Sequence, residues 1–201
     1  VIGGRDGIGQ GCRMLMESLA EGRSISLPSL SVGAAQLAVR ATGAYGTVRE
    51  QFNTPIGRFE GIEEPLARIA GHTYMMDAAR KLTCGAVDAG EKPAVLSAIV
   101  KAYLTDGMRN IMNDAMDIQA GAAICRGPRN MLGRGFVAVP IGITVEGANI
   151  LTRSLIVFGQ GLIRCHPFVH DEMQAVADND LKGFDKAFFG HLGSVYSNAI
   201  R

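Results

Sequence analysis

The stretch "ITVEGANILTR", residues 143–153, sets one carboxylate, Glu146, directly after an apolar run and directly before a glycine. The run Val137–Val145, "VAVPIGITV", contains no charge at all. Two roles suit an acid at such an edge. As a helix cap, its oxygen accepts a bond from an otherwise orphaned backbone N–H. As a general base, it is held close to a weakly acidic C–H and partly desolvated by the apolar residues ahead of it. A second candidate is cationic. Arg49 stands at the C-terminal end of a helical stretch, beside Gln51, Phe52 and the turn signal "FNTPIG". There a guanidinium either complements the negative end of the helix dipole or offers its planar fork to an anion such as a pyrophosphate across an interface. The spacing alone leaves both pairs of roles open.

Two other clusters carry less. "GIGQG" (Gly7–Gly11) lacks the GxGxxG spacing and has no useful strand before it, so it reads as a flexible entry into a helix. Cys165, His166 and His170 are close in sequence, but Pro167 breaks the helix that would align the histidines, and no metal site is expected. Cys12, Cys84, Cys125 and Cys165 form no CxxC, and read as reduced, buried thiols of a reducing compartment.

The elements that must position these residues are helical. Ala34, Ala38, Ala41, Tyr45, Val48 and Phe52 recur at steps of three and four. So do Ile62, Leu66, Ile69, Thr73 and Met76, then Val100, Leu104, Met108, Ile111, Ala115 and Ile118, then Leu151, Leu155, Phe158 and Leu162. Helices are expected over 34–52, 62–89, 94–119 and 146–164, packed as an all-α, up-down four-helix bundle. "AGEKP" (Ala89–Pro93) and "CRGPRNMLGRG" (Cys125–Gly135) separate them, and Pro140 and Gly142 make "GFVAVPIGITV" read as irregular.

Composition agrees with that class and excludes others. The 201 residues suffice for one domain or two small ones, and there is no Trp. Lys plus Arg number 20 against 19 Asp plus Glu, so the basic excess of a general nucleic-acid binder is missing. No apolar run approaches the roughly 18 residues of a membrane span. The opening "VIGGRDGIGQG" has no signal-peptide h-region, and the expected location is the bacterial cytoplasm, with association at the membrane face as the alternative. The ragged opening and the looser stretch after His166, with Phe184, Phe188, Phe189 and Tyr196, suggest an excerpt of a longer protein.

Four segments, in order, resemble one family. "VREQFNTPIGRFEGI" resembles the "R-x-Q-F-G-x-P-I-x-x-F-Q" segment of acyl-CoA dehydrogenases. "LAEGRSISLPSLSVGAAQLA" resembles the helix before it, "DIQAGAA" (Asp117–Ala123) the "Q-x-x-G-G" segment, and "VEGANILTR" the "Y-E-G-T-N-Q-I-Q-R" box. The wording is most similar to the large bacterial form that acts in fatty-acid β-oxidation. The resemblance implies a C-terminal helical domain over 23–165, an exit from a β-domain and helix entry over 1–22, and the start of a C-terminal extension over 166–201. It implies FAD as cofactor, a fatty acyl-CoA as substrate, an electron-transfer flavoprotein as partner and a homodimer or higher homo-oligomer.

Carried over by position, Glu146 is the catalytic base that takes the α-proton. Arg49 contacts the FAD pyrophosphate from a neighbouring subunit, Phe52 lies beside the same cofactor and Gly121 lines its adenine side. Gly147 lets the backbone pass close to thioester or flavin with no Cβ in the way. Asp117 aligns with the family's glutamine, a shifted register offering Gln119 instead. Asn149 and Arg153 match the end of the "E-G" box without a clear role. Departures are Glu60 for a glutamine, Ala120 for a glycine and Ala148 for a threonine. Some members carry the base on the earlier helix, but the region taken as its match, Gly33–Val39, has no carboxylate. An acyl-CoA oxidase or nitroalkane oxidase on the same fold, and a non-catalytic oligomerisation module, are the competing expectations; the carboxylate at Glu146 argues against the last.

Overall fold

Small residues let three long helices approach one another closely in the computed structural model. The structure describes residues 2–91 and 93–201, and the side chains of Cys12, Met16, Glu17, Ala20, Glu21 and Leu155 fall outside the described residues. Helix α1 (Gly11–Val48), α2 (Glu60–Asp88) and α3 (Ala94–Gln119) pack pairwise. Their common core holds Val32, Ala35, Ala38 and Ala41 of α1, Ile69 and Met76 of α2, and all six stripe residues of α3. At Gly107 of α3 a Cβ would lie 3.0 Å from Met76 Sδ, so a larger residue there would push the Met76 side chain aside. Arg68 of α2 clasps Asp114 of α3 with two bonds, Nη2 to Oδ1 at 2.8 Å and Nε to Oδ2 at 3.2 Å.

The all-α reading holds, and the boundaries of α2 and α3 agree with expectation almost to the residue. Three parts of the reading do not. The first helix begins at Gly11 and runs through Pro28, which is buried inside it, but it stops at Val48. Residues 49–52 leave the helix for a hairpin, β1 (Glu50–Gln51) paired antiparallel with β2 (Thr54–Pro55), followed by a turn of 3₁₀ helix over Ile56–Arg58. The segment taken as irregular is helix α5 (Gly133–Thr144), with Pro140 inside it and α3 as its packing surface. The expected helix over 146–164 starts late. Glu146 has φ +54°, α6 covers Asn149–Leu151, Thr152–Gln160 are wound more loosely as a π helix, and α7 covers Gly161–Cys165. Leu151, Phe158 and Leu162 of its stripe are exposed, and Leu155 is outside the described residues. A short helix α4 (Gly121–Ile124) follows α3.

The chain divides into two compact units, Val1–Thr152 and Arg153–Arg201. The second is built from α8 (Val169–Ala177) packed on α9 (Leu181–Ile200). Within it the His191 ring lies 4.3 Å from that of His166 and its Nδ1 pairs with Glu172 at 2.8 Å. The cysteine reading fails in part: Cys84 is half-buried, but Cys125 and Cys165 are exposed, while Cys12 is outside the described residues.

Candidate active site

The turn between α5 and α6 is strained. Glu146 and Gly147 are both left-handed, at φ +54° and +90°. Gly147 adopts this freely, but Glu146 gives up about 1–2 kcal/mol, as any L-residue with a Cβ does there. The capping role therefore falls away: the cap position of α6 is Ala148, and no side chain caps it.

What the strained turn does is aim a carboxylate back at α1. A Cβ built on Gly22 would sit 3.7 Å from Glu146 Oε1, so the two lie in contact distance. Glu146 Oε2 is buried and has no hydrogen-bond partner among the described residues. Next to Gly22, Arg23 is 2% exposed, and its Nε and Nη1 are likewise buried without a partner among the described residues. Burial holds the Arg23 guanidinium below its ordinary value, against the opposing pull of Glu146. Buried polar atoms are nearly always bonded, so three without a partner among the described residues single out Glu146 and Arg23 as candidate functional groups. On α1 it is Gly22, outside the Gly33–Val39 region, that faces Glu146, and it carries no carboxylate.

Lys101 approaches the turn from α3. It is fully buried, and its Nζ donates to Ile143 O at 3.2 Å, Gly147 O at 2.7 Å and Asn149 Oδ1 at 2.7 Å. Desolvation lowers its pKa; Glu146 pulls it up, Arg23 down and Asp106 up. The Asn149 amide passes the grip on, donating to Ala102 O at 3.1 Å, Thr105 Oγ1 at 2.9 Å and Asp106 Oδ1 at 3.2 Å. Neither role was foreseen. The signal was a lone lysine inside "SAIVKAYLTD", three residues before Leu104 and seven before Met108, on the core face of α3.

Of the candidate cofactor residues, Gly147 lies in this turn and the others fall in two other places. Arg49 and Phe52 are at the hairpin. Phe52 and Asn53 form its two-residue turn with φ +51° and +59°, the type I′ arrangement, and Phe52 is 93% exposed. An aromatic face held out in a strained conformation, three residues from an exposed guanidinium, fits the flat ring and charged linker of a flavin dinucleotide. Asp117 and Gly121 flank the end of α3, both exposed, whereas Gln119 is buried. Between them Ala120 makes the glycine-like turn at φ +47°, ψ −124°. A cleft of about 820 Å³ opens here, lined by Met116, Ile124, Arg126, Arg134 and Phe136 among others. These three places are not brought together within this chain: Glu146 points at α1, and Arg49 and Phe52 stand out from the hairpin.

An all-α domain aims a carboxylate with a buried oxygen, unpartnered among the described residues, from a strained turn, with an exposed guanidinium and aromatic ring elsewhere, and these outline the candidate site. The chain belongs to the acyl-CoA dehydrogenase family. Residues 9–159 match the family model described as acyl-CoA dehydrogenase, C-terminal domain, and residues 163–201 the one described as acyl-CoA dehydrogenase, C-terminal, bacterial type. A relative named 3-(aryl)acrylate reductase, from Clostridium sporogenes, is 32% identical over 53% of this chain and 28% of its own length. The probable acyl-CoA dehydrogenase FadE10 of Mycobacterium tuberculosis is 25% identical over 71% of this chain and 22% of its own. The chain thus spans about a quarter of these relatives. Butyryl-CoA dehydrogenase from Megasphaera elsdenii superposes with a TM-score of 0.68 at 24% identity, covering 77% of this chain and 39% of that one.

Proposed function

We propose that this chain is the C-terminal helical wall of an FAD-dependent acyl-CoA dehydrogenase that converts fatty acyl-CoA thioesters to trans-2-enoyl-CoA in β-oxidation. The observation that carries it is Glu146 Oε2, buried on the strained turn with no hydrogen-bond partner among the described residues. A free, desolvated lone pair is what an α-C–H beside a thioester needs as acceptor. When bound, a flavin supplies the two-electron acceptor for the β-hydride. This chain's own part is to take the α-proton onto Glu146, to exclude water through buried apolar residues ahead of it such as Val139, and to hold the dinucleotide with Arg49, Phe52 and the Asp117–Gly121 turn. An electron-transfer flavoprotein would reoxidise the enzyme, a homo-oligomer would bring Arg49 to a second subunit's cofactor, and the bacterial cytoplasm is the proposed location.

The test is Glu146→Gln in the flavin-loaded, full-length enzyme, followed by anaerobic stopped-flow flavin bleaching with octanoyl-CoA. Glutamine keeps the volume but takes no proton, so the bleaching rate should fall by about 10²–10⁴-fold or more, with fold and flavin content retained. A parent-like rate would move the base elsewhere. The relative named 3-(aryl)acrylate reductase favours a second reading, in direction only. In that reading Glu146 would give the α-proton to an enoyl substrate, and hydride would reach the β-carbon from a reduced flavin, itself oxidised in the step. Comparing saturated and α,β-unsaturated thioesters in the same assay decides between the directions.

A further inference from the structure

Lys101 spends all three of its ammonium protons on one short segment. Its acceptors, Ile143 O, Gly147 O and Asn149 Oδ1, bracket Glu146 on both sides. Thr152 Oγ1 closes the turn from below with a 3.1 Å bond to the same Gly147 carbonyl. Asn149 then ties the segment to the next turn of α3 through Ala102, Thr105 and Asp106. The left-handed pair Glu146–Gly147 is therefore held at both ends from one helix, and it is a conformation that glutamate leaves when released.

A lysine is a poor choice if the only need is to fill space. Methionine has similar volume and no charge to desolvate, and apolar replacement of a buried charge is often neutral or stabilising. What methionine cannot do is hold two backbone carbonyls and an amide oxygen at once. We propose that Lys101 is the positioning residue of the candidate base: its three-way clamp keeps the Glu146–Gly147 turn in the left-handed conformation that aims the Glu146 carboxylate at the substrate. The inference rests on Glu146 being the base, and adds to it the group that fixes where that base points. Lys101 is fully buried, so it acts through the turn it holds.

The test compares Lys101→Met, Lys101→Gln and Glu146→Gln in the flavin-loaded, full-length enzyme. Three quantities are read: thermal unfolding, the rate of anaerobic flavin bleaching by octanoyl-CoA, and binding of 3-thiaoctanoyl-CoA. The thia analogue has no β-hydrogen to transfer but keeps acidic α-protons. A well-placed base converts it to an anion seen as a long-wavelength band beside the oxidised flavin. Lys101→Met should bind the analogue almost as the parent does, yet lose the band and bleach about 10²-fold more slowly, the scale of a misplaced general base. Lys101→Gln, with two N–H donors, should fall between. A Lys101→Met enzyme that bleaches at the parent rate and shows the band, whatever its melting temperature, overturns the clamp. So does failure of both Lys101 variants to fold with flavin, which would make the lysine a structural one. If Glu146→Gln itself bleaches at the parent rate, the base assignment has failed instead.

Discussion

At the residue scale, two buried cations, Arg23 and Lys101, lie near Glu146 with Asp106 at the margin, and among the described residues neither cation is ion-paired with Glu146 in a bonded geometry. That arrangement is costly to fold and useful only if charge is to be handled there. Lys101 makes the cost measurable. Burial holds its pKa below the ordinary value of 10.5, with Glu146 and Asp106 opposing and Arg23 assisting. Between the folded and unfolded values the unfolded chain binds more protons, so stability rises with pH across that window. The contribution is least favourable below the folded value and recovers as pH climbs to 10.5. Urea midpoints measured from neutral pH upward should show this rise in the parent, and Lys101→Met should flatten it. A slope unchanged by the substitution would show that other groups set the alkaline stability.

At the scale of elements, two strained turns separate folding from function. Ala120, at φ +47° and ψ −124°, occupies backbone space that only glycine enters without strain. Ala120→Gly should stabilise by about 1 kcal/mol once the entropy of glycine is deducted, read as a melting-temperature rise of a few degrees. Phe52 opens the type I′ turn where asparagine is preferred. Phe52→Asn should therefore also raise the melting temperature, while weakening flavin affinity in an equilibrium titration. Equal flavin affinity in the variant would remove Phe52 from the cofactor site.

The same elements show what the sequence could reveal. The six-residue stripe of α3 is buried to the last member because that helix is enclosed on several sides, and period alone located it. The stripe through Leu151 and Phe158 had the same period, yet its described members are exposed, because periodicity gives a face and not a partner. The hairpin at 49–55 was hidden because its turn residues are Phe-Asn, not Asn-Gly, and its strands are two residues each. Helix α5 was hidden by Pro140, which loses one backbone bond that packing on α3 outweighs. Glu146 was legible from its place after an uncharged run. Lys101 and Arg23 were not assigned, because a charge in a helix is read as solvated until burial shows otherwise.

For the whole molecule, the question is how residues that face away from one another serve one reaction. Arg49 and Phe52 stand out from the hairpin, and α2 exposes Tyr74, Met75 and Leu82 on its outer side. A two-fold homo-oligomer would cover apolar surface of this kind and give each cofactor one Arg49 from the other subunit. Light scattering of the flavin-loaded protein should then give a dimer or a multiple of it. Subunit mixing gives the sharper result. Arg49→Ala should weaken flavin affinity, and Glu146→Gln should stop proton abstraction, so each homo-oligomer is impaired in its own way. In a mixed dimer with Arg49 acting across the interface, the Glu146→Gln subunit receives the Arg49→Ala defect as well. The other subunit then has an intact base and an intact arginine from its partner, and its site works. One site in two works in each mixed dimer, and random mixing makes about half of the dimers mixed, so roughly a quarter of the parent activity should reappear, as two-fold symmetry requires. If Arg49 served its own subunit, every site in the mixed dimer would keep one defect and no activity would be regained, which would place the arginine's anion within its own chain.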